Sequence, residues 1–167
     1  MTQSNPIALC VTCIVDQAMP EIGVATVKLL RRAGYQVDFP QAQTCCGQPF
    51  FNSGFKDEAA KLAMRVIEIF EPYETVVLPS GSCTTMIRVE YPHLLHDRPK
   101  WYYRAVKLAE KTFELSEFLA KHSHWQPAKS EGPTVTYHDS CHMCRMLGLK
   151  DEPEPLYKDT EEKIRRK

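Results

Sequence analysis

The sequence predicts an α/β fold: a largely parallel sheet with flanking helices and a site at the carboxyl ends of its strands. Two observations carry this. Short apolar, β-rich runs alternate with amphipathic stretches of helical period, the pattern of a parallel sheet with crossover helices. Cys13, Cys83 and Cys141 each lie just past a predicted strand end, where such sheets gather their ligands.

The elements follow in order. Ile7-Ala8-Leu9-Cys10-Val11-Thr12 reads as a buried strand ending at Cys13. A helix begins at Pro20, since proline suits a first helical position. Ile22, Ala25, Val27, Leu29 and Leu30 form its apolar stripe, and Gly34 is its C-terminal cap. Tyr35, Val37 and Phe39 alternate with Gln36 and Asp38 as a second strand before Pro40. A loop from Gln41 to Gly54 carries Cys45 and Cys46. Lys56 to Phe70 places Ala59, Leu62, Ala63, Val66, Ile67 and Phe70 at helical spacing. Thr75-Val76-Val77-Leu78-Pro79 is a third strand, stopping at Ser80-Gly81-Ser82-Cys83. Trp101 to Lys121 reads as one longer helix, with Tyr102, Ala105, Leu108, Ala109, Phe113, Leu115 and Leu119 on its apolar side. Gln126 to Pro133 is a polar linker, and Thr134 to His138 is a fourth strand ending near Cys141.

Composition narrows the function. At 167 residues the chain is expected to bury roughly 70% of its unfolded surface. Apolar residues at 43% and charged residues at 25% are ordinary for a globular protein. A net charge of zero leaves no electrostatic footprint for nucleic acid or an anionic membrane. The terminal Lys163-Ile164-Arg165-Arg166-Lys167 cluster is short and reads as a solvated helix end. Neither a signal peptide nor an 18-residue apolar run is visible, so a cytoplasmic location is expected. Thiols stay reduced there, and clustered cysteines read as metal ligands or redox groups. Their odd number, seven, also weakens a disulfide framework.

Cys45 and Cys46 are adjacent, and a disulfide between neighbours closes a strained ring. One zinc ion suits them poorly, because consecutive α-carbons stand about 3.8 Å apart and their side chains diverge. Two thiolates from one tight turn suit a cofactor with several metal atoms.

Cys13, Cys45-Cys46-Gly47 and Cys83, in this order, resemble the cysteine-rich CCG-domain family of iron–sulfur oxidoreductases. That family includes a component of heterodisulfide reductase, the glycolate oxidase iron–sulfur subunit and the lactate utilization protein A group. The local words resemble the last of these: Val11-Thr12-Cys13-Ile14-Val15-Asp16, Val37-Asp38-Phe39-Pro40, Gln43-Thr44-Cys45-Cys46-Gly47-Gln48-Pro49, Asn52-Ser53-Gly54, Pro79-Ser80-Gly81-Ser82-Cys83 and Tyr137-His138-Asp139-Ser140-Cys141-His142.

The resemblance implies a [4Fe–4S] cluster on Cys13, Cys45, Cys46 and Cys83, four thiolates being the usual complement. Gly47 and Gly81 are implied to let backbone N–H groups approach the sulfurs, with Ser80, Ser82 and Thr84 as further donors. It further implies an electron-transfer subunit, working with sister iron–sulfur subunits of a lactate utilization complex that oxidises L-lactate to pyruvate. A zinc-binding or redox-sensing protein using the same thiolates is the alternative from another class. A heterodisulfide-reductase-like thiol/disulfide subunit is a third, disfavoured because Ser80 stands where many members carry a further cysteine.

Members of the family usually repeat the cysteine pattern. Cys141 matches the opening of the repeat and is an added candidate ligand, but no second Cys-Cys-Gly follows before Lys167. The expected division is a first CCG domain over 1–125 and an incomplete second repeat over 126–167, from a truncation, a partial product or a half-protein needing a partner. Cys10 is expected in the core, because strand positions three apart face opposite ways. Cys144 is expected as a helix-core residue. His138 and His142 read as hydrogen-bonded structural histidines, His93, His96, His122 and His124 as surface, and Met64 and Met86 as core.

Overall fold

The computed structural model describes residues 5–123, 137–138 and 140–153. Among the described residues the sheet has four strands: β1 (Ile7–Leu9), β2 (Val37–Asp38), β3 (Val76–Leu78) and β4 (Thr112–Glu114), in spatial order β2-β1-β3-β4. Every pairing is parallel, with Ile7 opposite Val37, Ala8 opposite Val76 and Val77 opposite Phe113. The expected α/β fold with a parallel sheet is therefore what the chain adopts.

Helices cover both faces, and strand alternation decides which residues go where. Ala8, Cys10, Val76 and Leu78 point into the larger core, formed with Ala63, Ile67 and Phe70 of helix α4 (Lys56–Phe70) and Leu108 of α7 (Pro99–Glu110). Ile7 and Val77 point the other way, onto Leu30 of α2 (Pro20–Arg32) and onto Phe118 and Leu119 of α8 (Leu115–His122). Glu117 of α8 is buried, and Arg88 neutralises it at 2.7 Å with Lys121 at 3.6 Å. A buried carboxylate left without those partners would be strongly destabilising.

Several elements differ from their sequence reading. The first strand stops at Leu9, because the Thr12 side chain accepts from the Val15 N–H at 3.2 Å and caps a short helix, α1 (Cys13–Ala18). In α2, Gly23 and Thr26 are buried and Ala25 is exposed, so the stripe is rotated from the expected one. The loop after β2 contains a further short helix, α3 (Gln48–Asn52). Ser80 does not merely end β3; it caps α5 (Gly81–Thr85), which continues through a π-helical turn, Met86–Glu90, into α6 (Tyr91–Leu94).

The single helix expected over Trp101–Lys121 is two helices with strand β4 between them. The Lys111 ammonium donates to the Glu71 and Tyr73 carbonyls at the end of α4, which pins the chain there. The Val76 N–H then takes the Lys111 carbonyl and starts the ladder. At the far end of β4 the Glu114 carboxylate accepts from Ser116 and Glu117 N–H groups and opens α8. Tyr102, expected on an apolar side, is 43% exposed. Of the strand expected over 134–138, residues 134–136 and the linker lie outside the described residues, and Tyr137 and His138 are in irregular backbone.

Residues 140–149 pack against α5. Met143 lies over Gly81, where an added Cβ would stand 2.3 Å from the Met143 Cγ, so only glycine permits this approach. Phe70 is fully buried at the centre of the larger core. Phe70→Ala is expected to lower the unfolding free energy by about 3–5 kcal/mol, measured by urea denaturation.

Candidate metal centre

The parallel sheet delivers its strand ends to one rim, and the cysteines sit there. Cys13 opens α1 after β1, Cys45 and Cys46 lie in the loop after β2, and Cys83 lies in α5 after β3. The Cys13 and Cys45 sulfurs are 3.5 Å apart, and those of Cys46 and Cys83 are 3.2 Å apart. All are free thiols. The first pair is half-buried and the second is buried.

Each sulfur is placed by local backbone. Gly47 has φ +85°, a left-handed conformation open to glycine, and its Cβ position would crowd the Leu62 Cβ at 3.3 Å. That turn lets the Gly47 N–H donate to the Cys45 sulfur at 3.4 Å. The Ser80 hydroxyl accepts from the Cys83 N–H at 3.4 Å and lies 3.2 Å from the Ser82 hydroxyl. Thr84, expected to serve a sulfur, donates instead to the Ser80 carbonyl at 2.8 Å.

The thiols divide their protons unequally. Cys46, with help from the Gly47 N–H and Cys13, donates to the Cys45 sulfur and pulls its pKa down to about 5. The Cys46 thiol is pushed up in turn, because it donates to both Cys45 and Cys83 and is buried. Cys83 is lowered, first by Cys46 and then by the Ser80 and Ser82 hydroxyls. Burial raises Cys13, to which its contact with Cys45 adds.

Sequence reasoning missed three supports. The buried Tyr91 hydroxyl donates to the Cys46 carbonyl at 2.7 Å. The Gln43 side chain reaches β1, accepting from the Val11 N–H at 2.8 Å and donating to the Leu9 carbonyl at 3.3 Å. Gln48 meets the His142 ring at 3.2 Å. Two of the three adjoin the Cys-Cys-Gly word, but none has a periodicity that points to it.

The other flagged residues stand apart from the sulfurs or beside them. Cys10 is buried in the core with Cys46 and Cys83, only 4% exposed, and burial raises its thiol strongly. Cys141 is exposed at the start of a π-helical turn, His142–Met146, and joins neither sulfur pair. Cys144, expected as a core residue, is only half-buried; Met143 takes that place. His138, His93, His96 and His122 are exposed, the last with its ring against Phe113 and Phe118; His124 lies outside the described residues. Met86 is fully buried and Met64 partly so.

The donor set fits a thiolate-bound metal centre. Four cysteines from three strand-end loops share one rim, and the buried Thr44 hydroxyl beside Cys45 has no hydrogen-bond partner among the described residues. Among those residues no three metal-ligating side chains close on one point; the sulfurs form the contacts Cys13–Cys45 and Cys46–Cys83, linked by the Cys46 thiol's interaction with Cys45. A cleft of about 280 Å³ opens on the half-buried Cys13–Cys45 pair, lined by Asp16, Gln17, Phe39, Gln41 and Gln43. Among the described residues no helix is long and apolar enough to cross a membrane.

Residues 7–88 match the CCG cysteine-rich domain family. The chain is 50% identical over 154 residues to "Lactate utilization protein A" of Bacillus subtilis (strain 168), covering 90% of this chain and 63% of that protein. It is 47% identical over 148 residues to the protein of the same name from Geobacillus kaustophilus (strain HTA426), covering 88% and 62%. The chain thus spans just under two thirds of the length of these relatives.

The thiol geometry sets a reactivity order in the reduced, metal-free chain. At pH 6.5, above the lowered pKa of Cys45, this sulfur is expected to be alkylated by iodoacetamide before Cys10 and Cys46, whose thiols are buried and held protonated. Mass mapping of a time course reads the order; first labelling at Cys10 or Cys46 would contradict it.

Proposed function

We propose, from the premise that residues 7–88 belong to the cysteine-rich CCG domain family, that Cys13, Cys45, Cys46 and Cys83 hold an iron–sulfur centre of the [4Fe–4S] type. The chain then acts as an electron-transfer component in lactate utilization. The observation that carries this reading is the grouping of four reduced thiols from three strand-end loops, paired at 3.5 and 3.2 Å. When bound, such a centre accepts and releases single electrons.

The chain's own residues have separate tasks. Cys45 is already biased toward thiolate, so it is the natural first ligand, while Cys46 must release its proton as metal arrives. The Gly47 N–H and the Ser80 and Ser82 hydroxyls donate to sulfur, which favours the reduced, more negative state. The half-buried Cys13–Cys45 side faces the cleft, and the Cys46–Cys83 side is closed by the core. With the group bound, the Cys13–Cys45 side would be the more accessible one for electron exchange.

The names of the relatives support lactate as the ultimate electron source. The cleft beside the sulfurs presents the Asp16 carboxylate, a poor neighbour for the carboxylate of a 2-hydroxy acid. In this reading lactate is oxidised elsewhere to pyruvate, and this chain exchanges electrons with sister iron–sulfur subunits. Ser80 at the head of α5 is used as a helix cap, which leaves the thiol/disulfide chemistry of heterodisulfide reductase without its further cysteine.

One observation favours a second reading. The sulfur separations approach the edge of a tetrahedral zinc thiolate site, about 3.8 Å for Zn–S bonds of about 2.3 Å. Against it stands the adjacent Cys45–Cys46 pair, because consecutive α-carbons stand about 3.8 Å apart and their side chains tend to diverge rather than meet at one ion.

Anaerobic reconstitution separates the two. The iron–sulfur reading expects about four irons per chain with matching sulfide, a broad visible absorption and an EPR signal on reduction. Stoichiometric zinc with no visible band supports the zinc reading, and absence of both metals refutes each. Cys46→Ser is expected to lose most of the iron.

A further inference from the structure

We infer that Gln43 is a positioning residue for the sulfur centre: its carboxamide takes the place of a missing strand residue and holds the Cys45 loop against the Cys13 loop.

The sheet shows why a substitute is needed. Ile7 stands opposite Val37 and Ala8 opposite Asp38, with the Ile7 N–H on the Gln36 carbonyl. Carried two residues further, that register sets the Pro40 nitrogen opposite the Leu9 carbonyl and the Pro40 carbonyl opposite the Val11 N–H. Proline has no N–H to give, and β2 ends at Asp38. One acceptor and one donor on β1's edge are thereby left over.

Gln43 answers both with one side chain. Its Nε2 donates to the Leu9 carbonyl at 3.3 Å and its Oε1 accepts from the Val11 N–H at 2.8 Å. This reproduces the donor–acceptor pair of a parallel strand. Val11 is two residues before Cys13, and Gln43 is two residues before Cys45. The staple therefore fixes the two backbone segments from which those sulfurs project to 3.5 Å of each other. The other pair has its own tie, the Tyr91 hydroxyl on the Cys46 carbonyl. The two halves of the centre are positioned by different side chains.

A role for Gln43 in ligand placement rests on the iron–sulfur reading, so the test uses one readout that needs no metal. In the reduced, metal-free chain, dibromobimane bridges thiols that lie in contact, and peptide mapping tells the Cys13–Cys45 bridge from the Cys46–Cys83 bridge. Gln43→Met keeps the side-chain length and removes both hydrogen bonds. It is expected to lower the Cys13–Cys45 bridge by about fivefold and leave the Cys46–Cys83 bridge unchanged. Reconstituted Gln43→Met is expected to take up less iron than the wild type and to give a broadened EPR signal.

An unchanged Cys13–Cys45 bridge, or an equal loss at both pairs, overturns the inference, since the second is general loosening rather than placement. If Gln43→Met does not fold, Gln43→Glu decides: it keeps the acceptor toward Val11 and loses the donor toward Leu9, so a selective, smaller fall at Cys13–Cys45 is expected. Equal bridging to wild type in Gln43→Glu overturns it. Should the wild type take no iron, the iron–sulfur reading fails, and the bimane result still decides whether Gln43 places the thiols.

Discussion

The structure depends on one constraint, that β1, β2 and β3 all run the same way. Parallel strands send their following loops out at a single rim. Cys13, Cys45, Cys46 and Cys83 reach each other only because of this, although up to 70 residues separate them in sequence. The strands are only two or three residues long, so the ladder itself supplies little cohesion. Cohesion comes from the two apolar layers that the strands separate, with Ala8 and Val76 facing one and Ile7 and Val77 facing the other.

The rim sets hydrogen bonding against burial. Cys46 and Cys83 lie in the apolar core, where a bare thiolate is costly. Donors offset this only partly: the Ser80 and Ser82 hydroxyls favour a charged Cys83, and the Gly47 N–H and neighbouring thiols favour a charged Cys45. Cys46 serves as a donor to both neighbours and so retains its proton. Four thiolates at once would require a cation to compensate them, so a metal bound there would displace their protons.

Much of this was legible in the sequence. The alternation of β-rich and amphipathic runs pointed to the fold class, and α4 has its expected limits at Lys56 and Phe70. The words around Cys13, Cys45-Cys46 and Cys83 located the rim. β4 was hidden because Thr112–Glu114 is too short for a period-2 signal and lies between two helices with matching apolar spacing. What selects the strand is tertiary, namely the Lys111 ammonium on the end of α4 and the free edge of β3. The stripe of α2 rotated because Gly23 and Thr26 pack inward, which hydrophobicity counts do not foresee. Gln43 and Tyr91 were unreadable for a related reason: each acts on backbone more than 30 residues away.

The π-helical turn over Met86–Glu90 bears on how this site can evolve. Such a turn fits one more residue than an α-helical turn would. It therefore takes up one residue between Cys83 and Tyr91 while the helix that carries both keeps its phase. Removal of one residue there would restore the α-helical period and leave the phase of Tyr91 nearly as it is, whereas a residue removed from the α-helical turn just after Cys83 would swing Tyr91 by about 100°, the angle per residue of an α-helix. Its hydroxyl would leave the Cys46 carbonyl while every cysteine stayed in place. The helical phase between Cys83 and Tyr91 is thus as much a part of the sulfur rim as the sulfur atoms, and the π-helical turn is where that segment can lose a residue and keep its phase.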